Sequence, residues 1–256
     1  MTTAVNCSGS SQKVSRAPDF DLSWPEPARE LLRKAIDRHG GWSRWTRLQA
    51  IGLGLMSLRG LLPRVKGYGR TFQLPRYAMV YPKQGRTVWS EQPDGDPVAL
   101  FDPAAGHRHS FHGLRKLRRW NTSDACFFFG YALASYAAVP FVLPRLRYLR
   151  AVRGRWRGEA LEGVRVEYPA GVAVHSRRQN YLFDRDALLR RNDYVADVVG
   201  AFARGAHGWD DFVTVEGLPV PTRRTVVPRV GMWALNGPIV LEATFERVQV
   251  LTSGHA

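Results

Sequence analysis

Between Ala125 and Pro144 the chain runs for twenty residues without a charged side chain, flanked by arginine-rich segments at Arg115–Arg119 and Arg145–Arg150. A run of that kind is either a helix crossing a bilayer or a helix that is apolar on every side because its own fold wraps it. Pro140 and Pro144 interrupt the last third, and Tyr131, Ser135 and Tyr136 place polar atoms in the middle. Basic residues on both sides give no orientation bias, and the segment lies between two strand-forming halves. These features favour the wrapped helix. Asn121-Thr122-Ser123-Asp124 is expected to cap it, so that an inserted apolar helix occupies 121–139 and ends before Pro140. The loop that follows carries Phe141, Val142 and Leu143, a candidate for contact with a membrane surface.

The wrapping is read from the periodicities on either side. Ser23-Trp24-Pro25-Glu26 has the form of a capping box, Leu31, Leu32, Ala35 and Ile36 recur at helical spacing, and Gly40-Gly41 stops the helix. His39 is placed to cap that helix at its negative end. Trp42 and Trp45 are expected to fold a short second turn back over it. From Leu48 the period changes to two, with Ile51, Leu53 and Leu55 on one face. Gly52 and Gly54 lie on the other, which suggests a strand that something approaches closely. Strand-like runs follow at Arg70–Tyr81, Arg86–Glu91, Val98–Asp102 and His107–His112. After the insertion, Arg150–Arg157 and Val164–Tyr168 read as a hairpin turning through Leu161-Glu162-Gly163. Val172–Phe183, Leu188–Val199, Trp209–Glu216, Val220–Val227 and Ile239–Leu251 continue the series. This is meander spacing without alternating strand and helix units, so a mainly β (α+β) antiparallel fold is expected and a Rossmann or α/β barrel fold is disfavoured. Residues 23–251 are expected to form one domain, with 1–22 a disordered leader and 252–256 a tail.

Thirty-seven basic residues stand against 22 acidic ones, a net charge of +15. Only Lys13, Lys34, Lys66, Lys83 and Lys116 are lysines, and an arginine excess of this kind also follows from a GC-rich genome. The clusters at Arg115–Arg119 and Arg145–Arg157 interleave with Trp120, Tyr148 and Trp156, which would suit an anionic membrane surface. Nucleic acid is disfavoured, because no helix-turn-helix, finger or RNP signature accompanies them. Two cysteines, Cys7 and Cys126, give no disulfide framework. The leader has no apolar h-region and does not read as a secretory signal. A cytoplasmic location, peripheral to the membrane at most, is therefore expected.

The run from Val172 carries the densest chemistry. As a strand it would place His175, Arg177, Gln179, Tyr181 and Phe183 on one face, with the next strand bringing Arg191 and Asp193, or Arg190 and Tyr194, alongside. Such a row could hold a carboxylate or other polar head while an aromatic wall holds an apolar body. It could equally be a solvated face whose polar groups pair across strands. The candidate ligand-binding residues are Arg177, Gln179, Tyr181, Arg191 and Tyr194, with Tyr131, Tyr136 and Phe128 from the insertion. His175 and Asp193 are an acid/base candidate, since imidazole titrates near neutrality and a carboxylate can orient it. Seven histidines fall into no metal-ligand spacing, and neither a nucleophile elbow nor a phosphate loop occurs, so neither metal nor cofactor is expected.

Three blocks of sequence resemble an uncharacterised bacterial protein family. The first is Ala35-Ile36-Asp37-Arg38-His39-Gly40-Gly41 with Trp45 and Leu48, and the second runs from Gly130-Tyr131-Ala132-Leu133 through Tyr136 to Pro140-Phe141. The third holds His175-Ser176-Arg177, Gln179, Phe183-Asp184, Leu188-Leu189-Arg190-Arg191, Asp193-Tyr194 and Pro221-Thr222-Arg223-Arg224. The order helix, sheet, insertion, sheet is similar to that of the LolA/LolB-type lipoprotein carriers, whose half-open antiparallel barrel holds acyl chains on its concave side beneath helical plugs. That resemblance implies a hydrophobic cavity with the Asn121–Val139 helix as part of its lid. Those carriers are exported, and the leader here does not match an export signal. The expected function is intracellular binding of a lipid-like or polyketide-like hydrophobic molecule, with or without an anionic head. The alternative is a cofactor-independent isomerase, cyclase or hydrolase that uses His175 and Asp193.

Overall fold

A computed structural model describes residues 23–105 and 119–253. The leader, the strand expected at His107–His112, most of the Arg115–Arg119 cluster and the end of the tail lie outside the described residues. The chain opens with α1 (Glu26–Arg38), which buries Leu32, Ala35 and Ile36. The capping box expected at Ser23 is not formed as such. The N-cap position is Pro25, which has no side-chain oxygen, and the entry is fixed instead by Trp24, whose Nε1 donates to the Leu146 carbonyl at 3.0 Å. Gly40, at φ 102°, ends the turn, and α2 (Gly41–Arg47) folds back as the tryptophan spacing required.

Twelve strands among the described residues form one antiparallel sheet: β1 (Leu48–Arg59), β2 (Tyr77–Tyr81), β3 (Arg86–Ser90), β4 (Ala99–Phe101), β5 (Arg147–Trp156), β6 (Glu159–Glu167), β7 (Arg178–Phe183), β8 (Leu189–Val195), β9 (Arg204–Val215), β10 (Leu218–Val230), β11 (Trp233–Ala234) and β12 (Leu241–Thr252). Their order is β4-β3-β2-β1-β12-β10-β9-β8-β7-β6-β5, with β11 a flap on β10. The end strands β4 and β5 do not pair, so the sheet curls without closing: a half-open barrel. Three register shifts between β1 and β12 supply curvature at the seam of the two halves. Gly52 lies on this seam because a Cβ there would collide with the Tyr77 phenol, whose hydroxyl donates to Gln249 Oε1 at 2.8 Å.

The uncharged run forms α4 (Thr122–Ala137), and almost every residue of it is buried. Asn121 and Asp124 make the reciprocal capping box: Asp124 N donates to Asn121 Oδ1 at 2.9 Å, and Asn121 N to Asp124 Oδ2 at 3.0 Å. The β2–β4 wing pins the helix. Trp89 Nε1 donates to the Cys126 carbonyl at 3.3 Å and Thr87 Oγ1 to the Gly130 carbonyl at 2.9 Å, while Gly130 leaves room for the Phe101 side chain. Among the described residues no helix is long and apolar enough to cross a membrane. Phe141 stacks on Trp45 at 4.6 Å and Leu143 is fully buried, so these two residues of the loop expected to touch a membrane are turned into the core.

Four local expectations are corrected. The β5–β6 hairpin turns at Arg157-Gly158, both at positive φ, rather than at Leu161-Glu162-Gly163, which continue β6. A short helix, α3 (Leu61–Lys66), follows β1, and strand begins at Tyr77 rather than Arg70. Residues 172–177 are a loop, with strand pairing starting only at Arg178. The chain from 196 to 203 is likewise loop, because the Ala196 N–H bonds to the Ala203 carbonyl at 2.8 Å and folds the segment back on itself.

Candidate functional site

A cavity of about 570 Å³ lies between α4 and the concave face of the sheet. Phe128, Phe129, Ala132, Leu133 and Tyr136 of α4 form its roof, and Val226, Leu241, Ala243 and Phe245 part of its floor. Leu61 and Val65 of α3 and Phe202 of the 196–203 loop border it while remaining 42%, 54% and 81% exposed, which marks the mouth. Alternation explains the floor. On β10 and β12 every second side chain turns inward, and most of those are aliphatic or aromatic.

One end of the wall is polar. His175 is held in the 172–177 loop by the Asp197 N–H, which bonds to its carbonyl at 3.0 Å, and its ring stacks on Tyr194 at 4.2 Å. The Tyr131 hydroxyl lies 3.0 Å from Nδ1 and the Tyr136 hydroxyl 2.5 Å from Nε2. Burial pushes the imidazole pKa down to about 3, so the ring is neutral, with one N–H to give and one bare nitrogen. One tyrosine therefore accepts and the other donates. Burial also raises both tyrosine pKa values well above 10 and that of Tyr194 to about 12, so the cluster carries no charge at neutral pH.

The expected acid/base pair is not formed. Tyr194 faces the cavity, so Arg191 and Asp193, its neighbours in the pleat, face the other way. There Arg191 Nε meets Asp193 Oδ1 at 2.6 Å, and Arg191 also donates to the carbonyls of Arg155 at 2.8 Å and Met232 at 2.9 Å. Both residues are wholly buried beneath the β11 flap, in a small outer cluster with Val152, Trp156 and Leu182. Arg191 is thus a structural ion pair on the convex side, away from the cavity. Arg177 is exposed just before β7, donating to the Tyr168 carbonyl at 3.3 Å. Gln179 and Tyr181 are buried but saturated, with Gln179 Oε1 accepting from Asn192 at 3.1 Å and Tyr181 pairing with the Tyr168 hydroxyl at 2.7 Å. Of the ligand-binding candidates, Phe128, Tyr136 and Tyr194 line the cavity, and Tyr131 touches it only through His175.

Two lining residues were not singled out by the sequence. Arg224 on β10 is 5% exposed, and its guanidinium lies 4.4 Å from the Trp209 ring and 5.2 Å from the Tyr136 ring. Its Nε and Nη1 have no hydrogen-bond partner, and among the described residues no carboxylate lies within 4 Å of it. Burial lowers its pKa to about 10, which still leaves it charged at neutral pH. His207 on β9 is 2% exposed, and both its ring nitrogens lack partners. Burial and the nearby Arg224 and His175 hold it well below its ordinary pKa, so it is neutral. Desolvating a guanidinium costs several kcal/mol, and a desolvated cation–π contact returns about 2 kcal/mol. The two rings therefore offset only part of the cost. The signal in the sequence was phase: Val220, Arg224 and Val226 share one largely apolar face of the strand, and a charge at a core position calls for a partner. Among the described residues no group of three or more His, Cys, Asp or Glu could hold a metal ion.

No protein-family model and no curated protein matches the chain. Three solved structures are similar over most of its length. A DUF1329 family protein from Desulfovibrio piger is 12% identical, with 88% of this chain and 94% of that chain covered and a TM-score of 0.45. A LolA superfamily protein from Nitrosomonas europaea is 11% identical, covering 89% and 94%, with a TM-score of 0.40. The third is a "putative outer membrane lipoprotein-sorting protein domain" from Vibrio parahaemolyticus, 11% identical, covering 88% and 92%, with a TM-score of 0.42. That description corrects the cytoplasmic location expected from the leader: a similar structure is ascribed to outer membrane lipoprotein sorting, and the cytoplasmic assignment is dropped. The likeness is one of architecture, the LolA/LolB-like half-open barrel that the order of elements in the sequence implied.

Proposed function

We propose that this protein binds one hydrophobic small molecule, lipid-like or polyketide-like, in the cavity between α4 and the concave face. One observation carries this reading: a hollow of about 570 Å³ remains beneath a helix that is buried on nearly all sides. Protein interiors are otherwise packed to crystal density with few voids larger than a water. A gap of that size falls within the ~300–1,000 Å³ typical of small-molecule pockets. The wall is mainly aliphatic and aromatic, the mouth opens between α3 and the 196–203 loop, and Tyr136, His175, Tyr194, His207 and Arg224 gather at one end. That is the distribution expected of a site that holds an apolar body and orients it by one polar end.

Native mass spectrometry of the delipidated protein tests the reading, after equilibration with a series of fatty acids, fatty alcohols and isoprenoid alcohols. A single adduct per chain is expected, lost on collisional activation. A chain that stays at its ligand-free mass across the whole series would refute it.

A further inference from the structure

We propose that the ligand is an amphiphile with a single carboxylate head, bound head-first, the head at Arg224 and His207 and the tail running out toward Leu61, Val65 and Phe202. This rests on the cavity being a hydrophobe site and adds the chemistry and direction of what enters it.

Three observations converge. Arg224 is a buried guanidinium in the cavity wall whose Nε and Nη1 meet no acceptor, packed against the Trp209 and Tyr136 rings. His207 offers two further unpartnered nitrogens from the next strand. Arg224 pairs in register with Trp209, and Val226 with His207, so Arg224 and His207 are diagonal neighbours on the concave face. A planar carboxylate matches the guanidinium fork, and the neutral imidazole can give its N–H to the anion as well. A single cation with no second bare one beside it suits one negative charge rather than the two of a phosphate monoester. The remaining cations on the wall differ. Lys66 sits 5.0 Å over the Trp120 ring, and Arg204 is exposed. The arrangement therefore draws the anion to the deep end and leaves the hydrocarbon against Phe128, Leu133 and Phe245.

Calorimetric titration with dodecanoate and with dodecanol, on the native protein and on Arg224→Leu, tests this. The native protein is expected to prefer the acid by about 30-fold or more, the lower end of what removing one partner of a buried charge pair costs. Arg224→Leu should lose that preference while keeping dodecanol binding. On the native protein alone, carbon-13 NMR of carboxyl-labelled dodecanoate should show the bound carboxyl wholly ionised at pH 5.5, where the fold still holds. Equal affinity for acid and alcohol, equal weakening of both by the substitution, or a bound carboxyl still protonated at pH 5.5 would each overturn the head-first carboxylate while leaving the cavity reading intact. A head-out pose, held by Lys66 or Arg204, would show as an acid preference that survives Arg224→Leu, and it too overturns the inference. Failure of both compounds to bind would instead remove the cavity reading itself, and this inference with it.

Discussion

Acid should begin to destabilise this protein above the range in which its carboxylates protonate. Three buried histidines are held neutral. Burial lowers the pKa of His39 to about 4 and that of His175 to about 3, and takes His207 well below its ordinary value. In the unfolded chain each returns to about 6.5. Below that value the unfolded state binds protons that the folded state refuses, so stability is fully present above pH 6.5 and falls as the pH drops. His39 and His175 each lose about 1.4 kcal/mol per pH unit in that window, about 2 kcal/mol each and about 4 kcal/mol together by pH 5, and His207 adds to the loss in the same direction. Against a typical total of about 5–15 kcal/mol, that brings the fold near its limit. Urea unfolding followed by tryptophan fluorescence at a series of pH values would measure it. The slope between pH 6.0 and 5.0 should exceed two protons per molecule, and His39→Gln should remove about one of them. Carboxylates, with reference pKa values near 4, contribute little above pH 5, so a slope of one proton or less would show that the histidines are not held neutral as described.

Asp193→Ala should cost about 3–5 kcal/mol in urea unfolding, because it leaves Arg191 charged and buried under the β11 flap. Ligand affinity should not change, since the pair faces away from the cavity; a loss below about 1 kcal/mol would argue against a buried ion pair. Asn121→Ala removes one half of the capping box at the start of α4 and should cost about 1 kcal/mol, read as a lower midpoint of thermal unfolding. An unchanged midpoint would mean that the cap is not formed.

Much of this was legible in the chain because it depends on short-range chemistry. The Asn121–Asp124 cap, the absence of charge in α4 from Ala125 onward, the Gly40 stop and the twofold period of β1 each followed from neighbouring residues. What could not be read was orientation. Alternation showed that Arg191 and Asp193 share a face and that Arg190 and Tyr194 share the other. Which face is concave depends on how a sheet of many strands curls, and no local pattern records that. His175 was placed on a strand because residues 172–183 alternate, yet the bond from the Asp197 N–H to its carbonyl holds it in a loop over Tyr194. Arg224 was not picked out as a binding residue because it reads as one of a surface pair with Arg223, and only the phase of β10 separates the two. α3 was hidden by Gly60 and Gly67 at its ends and Pro63 within it, which read as loop.

A bound ligand requires the hollow under α4 to be open. Ala132 lines it and is almost wholly buried, so Ala132→Trp would fill the space from the helix side. Titration of the native protein and of this variant with the neutral fluorophore N-phenyl-naphthylamine measures occupancy directly, with circular dichroism as the check that both are folded. One saturable site in the native protein, abolished in the folded variant, is the predicted result. A native protein that leaves the fluorophore dark, or a folded variant that binds it as well as the native chain does, would contradict the account.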